Sequence, residues 1–414
     1  MNFRHALIGS LASATLITAC GTKITVKRVD DNPSTSEATS VSVTQGSGAA
    51  TSTSVSSSVG VGGAGAACED MVFEPQHPMK PIDAIFVVEN DFQMSTALST
   101  LEQQLHPSFA AVLDQAGADS QIIVLSDHGS STFELCIPPP LSSSSSCSGA
   151  PGNIANQFRQ FSTQITWGQM LCRVLATLEG NQADEFGVQS WLPWLRPEAL
   201  KAFVTVGATG SWCQHGSVNL FDGGDINMGQ QVALAWDSAL LNLAPGQFGT
   251  TSARNYLIES FVGAAPKMAF EPYYPDESVQ VTSCNGMEPG TAVQWLSKGT
   301  NGLRASTCES NSFSAMLPQF AGDIIRSASD RCIIHIPDPP MGEIWTFEAI
   351  EVIYTPDNNG PPQTWTRVDG PSSCGPGKFY IDVDDLVLCP DSCNTINADR
   401  YGEMQLVLRC VTDI

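Results

Sequence analysis

The sequence predicts a doubly wound α/β domain followed by a small β-rich module stapled by disulfides. Three observations lead there. Apolar, β-branched runs at 82–88 (IDAIFVV), 121–125 (QIIVL) and 202–206 (AFVTV) lack the polar alternation of half-exposed strands, as strands buried on both faces do. Helical periodicities fall between and after these runs, which is the alternation of an α/β sheet. From residue 332 onward the texture shifts to short strand-like runs with five cysteines, Cys332 included.

The opening MNFRHALIGSLASATLITAC has a basic start at Arg4 and His5, an apolar run over 6–17 and small residues leading to Cys20. The run is too short for a membrane span and reads as a secretory signal over 1–19. Residues 20–67 are dominated by Ser, Thr, Gly, Val and Ala, as in TSTSVSSSVGVGGAGAA. Such a stretch cannot bury enough apolar surface to offset its ordering entropy, so a flexible tether is expected. Its mean reach would be roughly 35 to 40 Å.

The α/β domain is assigned to 68–331. Its first helix is expected over 94–116, where Leu98, Leu101, Leu105, Phe109, Val112 and Leu113 share one face. Further helical patterns lie at 166–178, 229–243, 252–262, 292–298 and 313–328. The rhythm breaks at 126–157, where CIPPPLSSSSSCSGAPG excludes regular structure and a Cys136–Cys147 pair would clip a surface excursion. A second irregular stretch, 207–227, contains WCQHGS and FDGGD. In 332–414, the runs IIHIP, WTFEAIEVIYTP, KFYIDV, DLVLCP and MQLVLRC predict a small antiparallel module.

With 414 residues, 42% of them hydrophobic, the chain can build a full core. Lys and Arg number 19 against 42 Asp and Glu, a net charge of -23 that argues against a nucleic-acid partner. Of 13 cysteines, setting Cys20 aside leaves an even number, as expected for complete disulfide pairing in an exported chain. The short spacing Cys389 to Cys393 has no second pair beside it, so a zinc site is not favoured.

Several motifs resemble known families. Ile17-Thr18-Ala19-Cys20 resembles a bacterial lipobox, which implies acylation of Cys20, and Gly21 after it implies the outer membrane of a Gram-negative cell. IDAIFVVENDFQMSTAL resembles the first strand and ion-site loop of a von Willebrand factor A-type (VWA) domain, where the pattern is Asp-x-Ser-x-Ser. WLSKGTNGLRA and SFSAMLPQFAGDII resemble that family's late helix, turn and strand and its closing helix, over roughly 80–329. The chain also resembles bacterial surface lipoproteins that join such a domain to a cysteine-rich β tail. The resemblance implies a Rossmann-type sheet and a magnesium site for adhesion. It places Glu89 at the Asp position and Asp91 and Gln93 at the two Ser positions, with Thr166 a candidate for the threonine.

These exchanges degrade the site. Magnesium requires near-ideal octahedral geometry at about 2.0 to 2.1 Å, which longer side chains strain, and the charge of Asp91 lowers the metal's pull on an incoming carboxylate. No cofactor is required on this reading, and calcium or magnesium is held weakly if at all. Ligands of doubly wound sheets bind beyond the carboxyl ends of the strands, so Asp127, His128, Thr166 and Thr209 are candidate lining. The expected function is a non-enzymatic, lipid-anchored surface module of adhesion type, recognising a protein or extracellular matrix ligand. One alternative is a metal-dependent phosphatase- or sulfatase-like hydrolase, because Ser126-Asp127-His128-Gly129 resembles a metal-binding motif of the alkaline phosphatase superfamily. Another is a structural envelope component.

Overall fold

Seven consecutive buried residues, IDAIFVV, are a strand covered on both faces, and four such strands build the centre of the protein. The computed structural model describes residues 71–73, 77–129, 131–267, 270–308, 310–337, 343–346, 350–357, 360–383, 385–399, 402–408 and 410–412. The expected signal peptide 1–19, Cys20, the tether 20–67 and Cys68 lie outside the described residues. Among the described residues no helix is long and apolar enough to cross a membrane. Two units are present, His77–Arg331 and one formed by Met71–Phe73 with the described part of Cys332–Ile414.

Strand β1 (Met71–Phe73) pairs into the C-terminal unit. The α/β unit contains β2 (Ile82–Val88), α1 (Ser95–Gln104), α2 (Ala111–Gln115), β3 (Ser120–Ser126), β4 (Phe158–Ser162), α3 (Met170–Leu178), β5 (Leu200–Val206) and a hairpin of β6 (Trp212–His215) and β7 (Val218–Phe221). There follow α4 (Ile226–Leu243), the short α5 (Pro245–Phe248), β8 (Gly249–Thr250), β9 (Ala253–Arg254), β10 (Tyr256–Val262), α6 (Thr291–Gly299), β11 (Arg304–Ser306) and α7 (Ser310–Ala328).

Six strands form one parallel sheet in the order β11-β10-β5-β2-β3-β4. Counted along the chain this is 3-2-1-4-5-6, the doubly wound order, with its reversal between β2 and β5. The pleat sends alternate residues to opposite faces. Ala84, Phe86 and Val88 meet α1, α2 and α7 on one side, and Ile85 and Val87 meet α3, α4 and α6 on the other.

Three expectations change. The pattern at 252–262 is not a helix: β9 and β10 occupy it, with β10 between β5 and β11. A strand buried on both faces has no alternation, and in YLIESFV the polar Glu259 and Ser260 interrupt the apolar residues at a spacing that imitates a helix. The helix expected over 94–116 is continuous in space but widens into a π-helical segment at Leu105–Ala110, where Pro107 lacks the N–H that an α-turn needs. Strand β4 and the β6/β7 hairpin, within or beside stretches read as irregular, had no apolar run long enough to announce them.

At the amino ends of the central strands a buried charge cluster replaces apolar packing. Asp83 accepts from the Arg196 Nε at 2.8 Å and from Gln121 at 3.0 Å. Lys201 is fully buried, and its ammonium donates to the carbonyls of Arg196, Pro197 and Ala199. Burial lowers its pKa from 10.5 to about 8. Between those two values the unfolded chain binds a proton that the folded chain does not, so stability from this group rises with pH across the window. Lys201→Met is expected to remove that rise, roughly 2 to 3 kcal/mol, from urea midpoints compared with wild type at pH 7.5 and 10.5. Parallel pH profiles for the two proteins would contradict it.

The C-terminal unit adds β12 (Ile333–His335), β13 (Glu343–Trp345), β14 (Glu351–Thr355), β15 (Gln363–Arg367), β16 (Lys378–Asp382), β17 (Asp385–Leu388), α8 (Pro390–Ala398), β18 (Glu403–Leu408) and β19 (Cys410–Thr412). Its main sheet runs β1-β18-β14-β15-β16-β17-β12, and β13 pairs with β19 separately. The expected all-antiparallel pattern fails at β15 and β16, which are parallel over two residue pairs, and α8 was not anticipated. The pairing of β1 with β18 satisfies the strand's backbone groups in this module, whereas the sequence had assigned Met71–Phe73 to the α/β domain.

Disulfides join Cys136–Cys147, Cys172–Cys213, Cys284–Cys308, Cys332–Cys393 and Cys374–Cys389. Cys389 and Cys393 therefore bond to different partners, consistent with the reading of the short spacing as structural.

Candidate functional site

The carboxyl ends of β2 and β5 flank the point where strand order reverses, and Glu89 lies there at the end of β2. It is fully buried. Its Oε2 accepts from the Ala208 amide at 2.8 Å, and its Oε1 accepts from the Gly168 amide at 3.1 Å and from the Thr209 hydroxyl. These donors belong to the loops after β4 and β5, so one carboxylate ties three strand ends together. Burial raises the Glu89 pKa above 4.5; the three donors oppose that shift and nearby Asp91 adds to it.

Asn90 makes the complementary knot. Its Nδ2 donates to Ser126 Oγ at 2.9 Å and the Phe133 carbonyl at 2.8 Å, while its Oδ1 accepts from the Asp127 and Ile165 amides. This residue went unremarked in the sequence because it occupies a position between the resembled ligands. Asp91 caps the turn Phe92–Met94 by accepting from the Gln93 amide, and the Gln93 side chain points to the Gly286 carbonyl at 3.4 Å. Glu89, Asp91 and Gln93 thus serve three separate contacts, and they do not converge.

The donor set does not fit a cation. Backbone N–H groups and a hydroxyl proton face the Glu89 oxygens, which is the surrounding of an anion, and a metal would have to displace them. Among the described residues no group of three or more His, Cys, Asp or Glu side chains is arranged to hold a metal.

Of the other candidates, Thr209 joins Glu89 directly. Thr166 is half-buried and its carbonyl accepts from the Gln169 amide, in the loop that presents Gly168. Asp127 and His128 are 0% and 3% exposed, and the His128 amide donates to Ser162 Oγ at 3.0 Å. The His128 ring lies beside Phe186, with centroids 6.3 Å apart, and its nitrogens face no hydrogen-bond partner among the described residues.

Above the Glu89 knot the edge is aromatic. Trp167 is 66% exposed and Trp212 48%, and Trp212 contacts Phe221 edge to face at 6.1 Å. The Trp212 amide donates to the Gly168 carbonyl at 3.0 Å, and its indole donates to Glu288, which also accepts from the Gly210 amide. Gly168, at φ 70°, admits this approach: a Cβ there would stand 2.9 Å from the indole and 2.5 Å from the Gly210 carbonyl. The Cys172–Cys213 bond fastens the hairpin bearing Trp212 to α3. Trp191 and Trp194 do otherwise: Trp191 is a core residue bonded to Thr177, and Trp194 lies beneath Arg159.

The class defined by this geometry is a mixed α/β protein with a parallel six-stranded sheet and a disulfide-rich β module. No family model matches the chain, and no curated protein matches it. Among solved structures it is similar to the pilus adhesin SpaC from Lactobacillus rhamnosus GG in its open conformation, with a TM-score of 0.32 and 12% identity over 84% of this chain and 41% of that one. A second SpaC crystal structure gives 0.33 and 12%, over 84% and 42%. The chain thus spans less than half the length of the adhesin.

Proposed function

We propose that this chain is a non-enzymatic, ion-independent recognition module of adhesion type, built on a VWA-like domain and held at a Gram-negative cell surface through lipidated Cys20. The observation that carries the reading is the Glu89 carboxylate, whose oxygens are taken by the Ala208, Gly168 and Thr209 donors. That arrangement performs internally the loop-bridging work of a cation, leaving the sheet edge ordered and free for a protein or matrix ligand. Hydrolysis at Asp127 and His128 has less support, since both side chains are covered.

The test is elemental analysis and calcium and magnesium titration of the full mature chain. Unchanged melting temperature with either ion or with chelator is expected. A stoichiometric ion lost in Asp91→Ala would overturn ion independence, and turnover of phosphate or sulfate esters abolished by His128→Ala would overturn the non-enzymatic reading. Lipidation is checked by labelled fatty acid incorporation, expected in the wild type and absent in Cys20→Ser.

A further inference from the structure

Resting on that recognition reading, we propose that the carboxyl edge of the parallel sheet binds an extended, lysine- or arginine-rich segment of a partner protein, with Trp167 and Trp212 as its cation-receiving faces. Gly168, the residue after Trp167, packs against Trp212, and Trp212 touches Phe221. Exposed apolar patches mark interaction sites, and aromatic residues are enriched at protein interfaces.

Their presentation is fixed. Trp167 has a left-handed backbone at φ 41°, followed by Gly168, whose amide is held by Glu89. A strained, over-determined backbone that turns a large apolar ring to solvent is a mark of function. The Trp212 indole N–H is bonded to Glu288 at 2.9 Å, which fixes the ring plane and leaves its electron-rich face available to a cation.

Charge selects the partner. The loops at 89–93, 127–157, 163–169, 207–225 and 284–290 contain no Lys or Arg, and of their carboxylates Asp225 is exposed and Glu288 half-buried. With no Lys or Arg on these loops and a net charge of -23 on the chain, a cationic segment is favoured at the rings over an acidic ligand of the kind a metal site captures. Extended chain geometry suits a row of faces on loop tips, with a guanidinium stacking on each indole.

The probe is a short fluorescein-labelled peptide of alternating arginine and glycine, titrated by anisotropy with the full mature chain. Binding is expected to weaken with added salt and to fall about tenfold, or ~1.4 kcal/mol, in the Trp167→Ala/Trp212→Ala double variant. Trp167→Leu/Trp212→Leu, which keeps apolar bulk at both sites, is expected to lose binding similarly with its melting temperature preserved. The proposal is overturned if the peptide does not bind, if both double variants bind it as wild type does, or if a neutral oligosaccharide or an aspartate-glycine peptide binds through the same tryptophans instead. Binding that requires calcium or magnesium would instead overturn the ion-independent reading, so the two failures are distinct.

Discussion

Glu89→Ala is expected to destabilise the α/β unit by about 3 to 5 kcal/mol, because it strips the acceptor from three donors buried at the switch point of the sheet. Each orphaned group carries its own desolvation penalty, and the site is too tightly covered by Gly207, Met170 and the Thr209 loop for the gap to close freely. Glu89→Gln is expected to cost less, about 1 to 3 kcal/mol: one amide oxygen still accepts, while its NH2 opposes a backbone donor. Urea unfolding of the full chain, followed by tryptophan fluorescence, reads both. A loss below about 1 kcal/mol in Glu89→Ala, or full rescue by calcium, would show that the carboxylate is not the bridge described.

The second large effect lies on the other side of the sheet. Phe203→Ala is expected to cost about 3 to 5 kcal/mol, the range for deleting a fully enclosed ring. Phe203 is 1% exposed in β5, with Trp191, Trp236, Phe248 and Tyr256 around it at centroid distances of 5.9 to 6.5 Å. Removing the hub leaves four rings with a void on one side, and rigid indoles on separate helices and loops collapse poorly into it. Phe203→Leu fills most of the volume and is expected to lose about half as much. Equal stability of Phe203→Ala and wild type in thermal unfolding would refute the packing argument.

How much of this was readable beforehand depended on where the partners of each residue lie. The strands over 82–88, 120–126 and 200–206 were legible because burial on both faces demands an uninterrupted apolar run, and that demand is written locally. The same demand hid β10, whose buried Glu259 and Ser260 could be mistaken for the polar side of a helix. Glu259 is tolerated there because its carboxylate accepts from the Leu303 amide at 2.6 Å, a partner 44 residues away. Trp167 and Phe221 left no mark in the sequence that separates them from core aromatics; Trp191, equally conspicuous there, is buried.

The sequence by itself determined the signal-like start, the acidic balance, the even cysteine count and the run of strands and helices, since each is a property of composition or of spacing within one segment. It also placed Glu89 at the end of a strand. Only the tertiary structure decided what Glu89 does there, because its donors stand 79, 119 and 120 positions away and come together when the sheet closes. A carboxylate reads the same in the chain whether a cation or a ring of N–H groups will face it, and the fold supplies the N–H groups.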